Sequence, residues 1–506
     1  MPTPDLRPHQ KTLHTETVQA MRRFKHLLIV AGCSFGKTFL FSYMAFLTNK
    51  KANRMMILSN RSELLTQSGG ALSLFGVTAD YIDPIRKNVP TANVSVCMAQ
   101  TLRRRYKRKE WEDYIRSLDV IVIDEAHSQD FNFLFESGLL SGKWVLGYTA
   151  TPKRDGKQRQ LGLDYEAIVE GVSSEELMQQ GWLIRSKYFS VDAPDLTKVG
   201  VDNVTGDYKA PDLFNLFNTP DRYGGVIDNY KRLTPDKSAI CYCCSQIHAI
   251  ETCRMFNEAG ISAKFVVSGI KKDKEEYQVL RDNLQYTSSR KTIFDEFRRG
   301  EFKVLCNVSV ATTGTDLPIA SVCILNMATL SLTKYLQMLG RIARLYPGKD
   351  WGYVLDFGGN FARFGKYEAY RKWSVWHEEK AGGGVQMSKE CPKDRKDKNG
   401  KTGCGRLIPV SARFCPFCEF IFETEKEIRD AELVEIIDGK FKFKDMSALQ
   451  LKAYAELHGN KVAWVYRMLW VGGGEAGLRK GMKELGYNNK FIWLTMERFK
   501  KEKKKV

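Results

Sequence analysis

The sequence contains no apolar segment that approaches the roughly 18 residues needed to cross a bilayer. Its first ten residues include three prolines and no apolar stretch of the kind found in an export signal. Acidic residues are outnumbered, 59 against 78 Lys and Arg, which leaves a formal net charge of +19. A surplus of this size predicts a phosphate-bearing partner, nucleic acid first and an anionic membrane surface second. We therefore expect a soluble, basic, intracellular protein that does not associate with a membrane.

Other absences narrow the functional class. We find no internal repeat, no nuclease signature and no helix-turn-helix or zinc-finger recognition helix. Contacts with nucleic acid are therefore predicted to involve its backbone and shape rather than its base sequence. The hydrophobic content of 43% excludes wholesale disorder, and 506 residues predict roughly three domains.

Short apolar runs alternate with longer amphipathic stretches through residue 360. This alternation is typical of α/β domains, in which helices cover both faces of a parallel sheet. The candidate strands form two sets, Leu27–Val30, Met55–Leu58, Val120–Ile123 and Trp144–Gly147, then Ser238–Cys243, Lys303–Cys306, Val322–Leu325 and Tyr353–Asp356. A glycine-rich segment at residues 381–384 is a predicted linker. We predict two α/β domains at 1–190 and 191–380, a cysteine module at 385–425 and a basic helical domain at 426–506.

A candidate phosphate loop lies at residues 31–38, between the first predicted strand and a predicted helix at Phe39–Leu47. Such loops curl backbone N–H groups around a phosphate at the positive end of a helix. In this pattern Lys37 reaches the β and γ oxygens of a nucleotide, and the Thr38 hydroxyl binds Mg²⁺. Ala31 and Ser34 stand where glycine is common, but both are small enough for the loop to close. The predicted loop residues are Ala31, Gly32, Ser34 and Gly36.

Two acids follow another predicted strand, since Val120–Ile123 runs directly into Asp124 and Glu125. The carboxyl end of a buried strand beside a phosphate loop is where a Mg²⁺-binding carboxylate must lie. We predict that Asp124 binds Mg²⁺ and that Glu125 orients and deprotonates an attacking water.

These motifs resemble those of the DEAH-box helicases of superfamily 2, which contain two RecA-like parallel-sheet domains in tandem. Further segments are similar to the family's motifs and occur in the family's order. They are residues 6–10 (Q motif), 59–67 (Ia), 99–102 (Ib), 149–152 (III), 311–318 (V) and 337–344 (VI).

The resemblance implies a role for each matching residue. Gln10, with Arg7 beside it, would contact the adenine edge. Arg344 would contact the γ-phosphate, while Arg341 and Gln337 would complete the cleft between the two domains. Guanidinium groups suit this position because they stabilise the charge that spreads over the transferring phosphoryl group. The other implied ATP-site residues are His127, Gly314 and Asp316, and the implied nucleic-acid contacts are Arg61, Gln100, Thr101 and Thr312.

A narrower resemblance covers about 420 residues. It is a resemblance to the bacterial RadD helicases and their phage relatives. It rests on the segments 162–166, 175–183 and 354–360 and on the cysteine cluster that follows them. The motifs also resemble the UvsW-like branch-migration helicases of phages. Both families act on branched DNA in replication, recombination or repair. The resemblance therefore implies an ATP-dependent DNA helicase in the cytoplasm of a bacterial or phage-infected cell. Single-strand-binding and recombination proteins are candidate partners that the sequence does not identify.

Three alternatives stay open beside this interpretation. No residue excludes RNA as the substrate, and the motor of a restriction or defence complex would carry the same motifs. The third alternative is a binding protein built on an inactive ATPase fold. It is disfavoured by the joint presence of Lys37, Asp124, Glu125, Arg341 and Arg344.

The twelve cysteines divide by position. Eight lie in the first 325 residues, mostly within apolar runs, and are predicted to be buried, reduced side chains. The other four, Cys391, Cys404, Cys415 and Cys418, fall within 28 residues. The last pair forms a tight Cys-Pro-x-Cys turn, and residues 392–403 form a predicted loop between the first two. We predict a structural zinc with four thiolate ligands, against the alternative of a metal-free loop.

The C-terminal 56 residues carry 13 Lys and Arg against 5 Glu. Aromatic residues interleave with this charge, and seven of them are Trp464, Tyr466, Trp470, Tyr487, Phe491, Trp493 and Phe499. We predict that most of them form the core of a small helical domain whose basic exterior binds DNA phosphates.

Overall fold

The computed structural model describes residues 4–60, 62–86, 88–154, 159–190, 196–267, 270, 276–308, 316–376, 388–393, 396–397, 399–409, 414–422, 433–437, 447–457 and 462–503. The chain divides into two compact units. The first consists of Met1–Tyr188 and Ala193–Gly383, and the second of Phe189–Asp192 and Gly384–Val506.

Strands and helices alternate through the first unit, and the strands and helices from residue 388 onward lie in the second unit. The strands are β1 (His26–Val30), β2 (Met55–Ser59), β3 (Ala79–Ile82), β4 (Val94–Met98), β5 (Val120–Asp124), β6 (Trp144–Thr149), β7 (Ala167–Glu170), β8 (Ser186–Ser190), β9 (Ala239–Cys243), β10 (Ala263–Val266), β11 (Val304–Asn307), β12 (Val322–Asn326), β13 (Gly352–Asp356), β14 (Ser388–Glu390), β15 (Leu407–Pro409) and β16 (Val434–Ile437). The helices are α1 (Pro8–Ala20), α2 (Lys37–Lys50), α3 (Ser62–Leu74), α4 (Ala99–Arg103), α5 (Lys109–Arg116), α6 (Asn132–Glu136), α7 (Ser174–Gln179), α8 (Ala210–Phe217), α9 (Pro220–Leu233), α10 (Gln246–Glu258), α11 (Glu276–Asp282), α12 (Arg290–Arg298), α13 (Leu332–Ile342), α14 (Asn360–Phe364), α15 (Ala448–Leu457), α16 (Val462–Glu484) and α17 (Asn489–Lys503).

The first domain is a seven-stranded sheet in the order β3-β4-β2-β5-β6-β1-β7. All of its strand pairs are parallel. Strands β2 and β5 are buried along their whole length, as apolar strands covered by helices on both faces should be. Because β1 lies between β6 and β7, and β5 lies beside β6, their carboxyl ends meet at one edge of the sheet.

The second domain repeats this architecture. Its strands follow the order β10-β11-β9-β12-β13, all in parallel pairs, with β8 beside β13. The prediction of two RecA-like parallel-sheet domains in tandem is therefore confirmed. All eight predicted strands are present within one or two residues of their expected bounds.

In its described part, the second unit combines a small antiparallel sheet with three helices. Strand β14 pairs with both β15 and β16, and β16 also pairs with Phe189 and Ser190 of the same unit. Helix α16 changes direction at Gly474, whose φ of 59° lies in the left-handed region that favours glycine. Among the described residues, none of the helices combines the length and apolar character needed to span a bilayer.

Candidate functional site

The phosphate loop joins the buried end of β1 to the first turn of α2. Two residues of the loop have positive φ, Ser34 at 67° and Gly36 at 90°. At Gly36 a Cβ atom would lie only 2.5 Å from the Nε2 atom of Gln10, so both conformation and space call for glycine here. The loop thus curls into the tight turn that leads to the amino end of α2, where phosphate groups bind in such folds.

Gln10, on α1, is hydrogen-bonded to this loop. It is buried, and its Nε2 atom donates to the carbonyls of Phe35 at 3.3 Å and Gly36 at 3.4 Å. Its Oε1 atom accepts from the backbone N–H of Arg7 at 3.1 Å. The Arg7 guanidinium lies 4.9 Å from the ring centroid of Trp182. Of the two residues expected to contact adenine, Gln10 therefore lies directly against the phosphate loop, and Arg7 is joined to it through Gln10.

The acidic pair lies at the carboxyl end of β5, next to Lys37. Lys37 donates to the carbonyl of Ala31, also in the loop, at 3.3 Å. Asp124 is buried and accepts from the backbone N–H of Glu125 at 3.0 Å. Burial, and then the charge of Glu125, raises the pKa of Asp124 to about 7, while Lys37 acts in the opposite direction. A buried carboxylate beside an ammonium group provides a hard oxygen donor of the kind that Mg²⁺ binds.

A chain of hydroxyl groups connects this acidic pair to the second domain. The Nδ1 atom of His127 lies 3.5 Å from the Glu125 carboxylate and 3.0 Å from the Thr149 hydroxyl. The Thr149 hydroxyl in turn donates to the carbonyl of Thr151 at 2.9 Å. The Thr151 hydroxyl then donates to that of Thr333, in the first turn of α13, at 2.9 Å. The segment predicted as motif III therefore contacts both the DEAH residues and the second domain.

Helix α13 presents the two predicted arginines to the phosphate loop. Arg344, just beyond the helix, pairs with Asp316 and donates to the Ser34 hydroxyl at 3.1 Å. The Ser34 hydroxyl donates to the carbonyl of Gly340 at 2.8 Å. Arg341 is buried, and burial followed by the charge of Arg344 lowers its pKa to about 10. The loop and the arginine helix therefore meet across the cleft between the two domains.

The remaining predicted ATP-site residues differ in burial and in which domain they contact. Gln337 is buried within α13, and Thr38 is half-buried in the first turn of α2. Gly32 lies between residues of both domains, since a Cβ there would be 3.1 Å from the Ser174 hydroxyl in the first domain and 3.9 Å from the Tyr367 hydroxyl in the second. Gly314 lies outside the described residues.

One residue that contacts the phosphate loop was not among the predicted site residues. The Tyr367 hydroxyl donates to the carbonyl of Cys33 in this loop at 2.7 Å. Within the second domain, Lys349 donates to the carbonyls of Arg344 at 2.9 Å and Ala320 at 2.6 Å. Tyr367 belongs to none of the motifs described above, so its role is identified only by this contact between distant segments.

The predicted nucleic-acid contacts lie partly on the same sheet edge. Gln100, at the start of α4, donates to the carbonyl of Asn60, which follows β2, at 3.0 Å. Asn60 itself donates to the Asp130 carboxylate at 3.1 Å. Thr101 is buried. Arg61 and Thr312 lie outside the described residues.

The four C-terminal cysteines converge in the second unit, with all four Sγ atoms within 4.8 Å of one another. The Sγ atoms of Cys391 and Cys418 are 3.6 Å apart, as are those of Cys404 and Cys415. These separations are too long for disulfides. They are close to the roughly 3.8 Å edge of a tetrahedron with metal–sulfur bonds of about 2.3 Å. The donor set therefore fits a four-thiolate zinc site.

The segment between the first two cysteines is hydrogen-bonded to the chain that follows the last one. The Asp397 carboxylate accepts from the N–H groups of Asn399 at 2.9 Å, Lys401 at 2.8 Å and Ile421 at 2.9 Å. At Gly403 a Cβ would lie 2.7 Å from the Sγ atom of Cys391 and 2.0 Å from a backbone carbonyl. Glycine at this position lets the chain pass close to the thiolate cluster.

The aromatic residues of the C-terminal helices divide into two groups. Five of the seven pack against the cores of these helices, namely Trp464, Tyr466, Trp470, Tyr487 and Phe499. Phe491 and Trp493, on α17, are 42% and 57% exposed. The prediction that most of the aromatics belong to the core therefore holds, and the Trp493 ring faces solvent.

Comparison with known proteins agrees with this geometry. Residues 3–154 match the family of the type III restriction enzyme res subunit, and residues 232–346 match the helicase conserved C-terminal domain. Together, these two matches indicate an ATP-dependent helicase of the superfamily 2 type. Helicases of this type hydrolyse ATP and use Mg²⁺, which the acidic pair and phosphate loop are suited to bind.

The chain is similar in sequence to a phage protein and to a yeast protein. It is 26% identical to a 51.5 kDa protein of a Lactococcus phage, over 81% of this chain and 82% of the phage protein. It is 28% identical to a Saccharomyces cerevisiae protein assigned as the ATP-dependent helicase IRC3, over 70% of this chain and 52% of the yeast protein. The chain thus spans most of the phage relative and about half of the yeast one.

Two solved structures share the fold. One is an HsdR-type subunit of a type I restriction enzyme from Vibrio vulnificus, with a TM-score of 0.52 and 19% identity over 73% of this chain and 68% of that one. The other is the type ISP restriction-modification enzyme LlaBIII bound to DNA, with a TM-score of 0.50 and 16% identity. It covers 69% of this chain and 27% of LlaBIII.

Proposed function

We propose that this protein is an ATP-dependent DNA helicase or translocase that acts on branched DNA in replication, recombination or repair. The observation that carries the proposal is the meeting of Arg344, from the second domain, with Ser34 in the phosphate loop of the first. A nucleotide in this loop would be contacted by both domains, so binding and hydrolysis would be coupled to their relative motion.

Residues of the first domain would hold the nucleotide. Lys37 would leave the Ala31 carbonyl and contact the β and γ oxygens, while Gln10 keeps the loop in its curled form. Thr38 and Asp124 would hold Mg²⁺, which supplies positive charge against the phosphates when it is bound. Glu125 would orient the attacking water and accept its proton.

Residues of the second domain would stabilise the charge that develops during hydrolysis. Arg344 can turn from its Ser34 contact toward the γ-phosphate, with Arg341 and Gln337 completing the wall of the cleft. Arginine contacts of this kind are worth about 10³–10⁵ in rate in related phosphoryl-transfer enzymes. The Thr151–Thr333 hydrogen bond would link the same closure to the nucleic-acid edge of the sheets.

DNA binding is supported by charge and by the second unit. The net charge of +19 favours a polyanionic partner. The four-cysteine module would be structural, because four thiolates leave no open coordination position for catalysis. The C-terminal helices would contact phosphates with their lysines, and the exposed Trp493 ring would stack on an unpaired base at a branch point.

A second candidate is the motor subunit of a restriction or defence complex. The match of residues 3–154 to the res subunit family and the likeness to the HsdR-type fold favour it. In that case the chain would translocate on duplex DNA together with a nuclease partner. Strand separation by the isolated chain would then be weak.

The test is steady-state ATP hydrolysis with single-stranded, blunt duplex, forked and four-way DNA and with matched RNA, followed by a strand-separation assay on the same set. Lys37→Ala is the control for hydrolysis by this site. Strongest stimulation and unwinding on forked or four-way DNA supports the proposal. Stimulation by blunt duplex without unwinding indicates the restriction-type motor, and equal or stronger stimulation by RNA indicates an RNA helicase.

A further inference from the structure

A strongly basic segment begins at Arg103, the last residue of α4 in the first domain. Six of the seven residues from Arg103 to Lys109 are Lys or Arg. Arg103, Arg104 and Lys107 are exposed and line an open groove of about 470 Å³. The motifs described above do not include any of these three residues.

Two aromatic rings in contact line the groove. The ring centroids of Tyr106, within the segment, and of Phe133, on α6, are 5.0 Å apart. Arg105 is the anchor of the segment, since its guanidinium donates to the carbonyls of Arg86 at 2.6 Å and Asp83 at 3.1 Å. One arginine thus fixes the backbone, while its neighbours on either side stay exposed to solvent.

The cations of the groove are not neutralised locally. In the described part of the chain, no carboxylate forms an ion pair with Arg103, Arg104 or Lys107. Glu136 also lines the groove, but its carboxylate lies 3.8 Å from Arg159. Three such charges in one concave surface create a positive potential that a multivalent anion would relieve.

The position of the groove points to the class of anion. Helix α4 begins with Ala99 directly after β4, at the same sheet edge where β5 ends in Asp124. Gln100 on this helix is held to the Asn60 carbonyl that follows β2. The groove therefore begins one turn of α4 beyond Gln100, next to the edge on which the predicted nucleic-acid motifs lie.

We propose that this groove, which we call the Arg103 groove, binds successive phosphates of the nucleic-acid backbone beside motif Ib. Arg103, Arg104 and Lys107 contact phosphate oxygens, and the Tyr106–Phe133 pair supports the strand without reading its bases. This assignment rests on the proposed function of the motor. It adds a binding surface that determines how tightly the first domain holds its substrate.

The test compares Arg103→Ala/Arg104→Ala/Lys107→Ala with Arg22→Ala/Arg23→Ala in the full chain. The control pair is also exposed and basic, but it precedes β1 at the opposite edge of the same sheet. The readout is the slope of log Kd against log salt concentration for single-stranded and duplex DNA, together with DNA-stimulated ATP hydrolysis.

Each phosphate contact contributes about 0.7 to the slope of log Kd against log salt concentration on single strands and about 0.9 on duplex. Loss of three contacts should therefore reduce this slope by about 2 on single strands and by about 2.7 on duplex. The DNA concentration for half-maximal ATP hydrolysis should rise, while kcat at saturating DNA stays at the wild-type value. The control variant should keep the wild-type slope. A triple variant whose slope and half-saturation match the control overturns the proposal. Failure of DNA to stimulate the wild-type chain would instead overturn the proposed function.

Discussion

A methyl group at Gly340 should uncouple the two domains without touching a nucleotide ligand. A Cβ atom at this position of α13 would lie 2.4 Å from the Cβ atom of Cys33 in the phosphate loop. Carbon atoms in contact are about 3.5–4.0 Å apart, so the cleft would have to open by at least about 1.1 Å. A displacement of about 1 Å between reacting groups costs about 100-fold in rate. We therefore expect Gly340→Ala to lower kcat for ATP hydrolysis about 100-fold.

The assay is steady-state ATP hydrolysis at saturating DNA, with thermal unfolding measured in parallel. Alanine is a better helix former than glycine by up to about 1 kcal/mol, so the variant should fold normally. Gly225→Ala, on α9, is the matched control because a Cβ there meets nothing within 4 Å. Adding Cys33→Gly to Gly340→Ala removes the clashing side chain and should restore part of the lost rate. A Gly340→Ala enzyme within threefold of wild type would refute the closed arrangement of loop and helix.

Two further predictions concern other parts of the chain. Cys415→Ser should release about one zinc per chain, as measured by metal analysis of the purified protein, and should lower the thermal stability of the second unit. Cys33→Ser, outside the cluster, should retain the zinc. His248 is fully buried, and burial lowers its pKa to about 3. Below pH 6.5 the His248 side chain is protonated in the unfolded state but stays neutral in the folded state. Its contribution to the free energy of unfolding is therefore fully present above pH 6.5 and falls by about 1.4 kcal/mol per pH unit below that value. Urea unfolding of His248→Gln between pH 5 and pH 7.5 should show a shallower decline than wild type, and an equal decline would exclude His248 as its source.

Most of the central strands were predictable because their signal is local. Buried parallel strands such as Val120–Asp124 are continuous apolar runs, and the acidic pair lies at the end of this one. The interior strand β4 was missed because Ser95 interrupts its apolar run. Strands β3 and β7 were missed because they lie at the two edges of the sheet and carry polar residues. Edge strands are only partly covered, so their sequences lack the apolar signal.

Contacts between distant segments were not predictable in the same way. The Ser34 contact with Gly340 joins residues 306 positions apart, and the Tyr367 contact with Cys33 joins residues 334 positions apart. The charges of the Arg103 groove are visible in the sequence, but Phe133, which makes the surface concave, comes from a separate helix. Periodicity and motif spacing contain no information on such pairs.

The central claim is that the ATP site is shared between the two domains. Arg344→Ala tests it most directly, with ATP hydrolysis and nucleotide affinity measured on the same preparation. Arg254→Ala, which removes a surface ion pair on α10, is the matched control. The account predicts a fall in kcat of about 10³-fold or more, with ATP and DNA affinities changed only a few-fold. An Arg344→Ala protein that hydrolyses ATP at the rate of the control would contradict it.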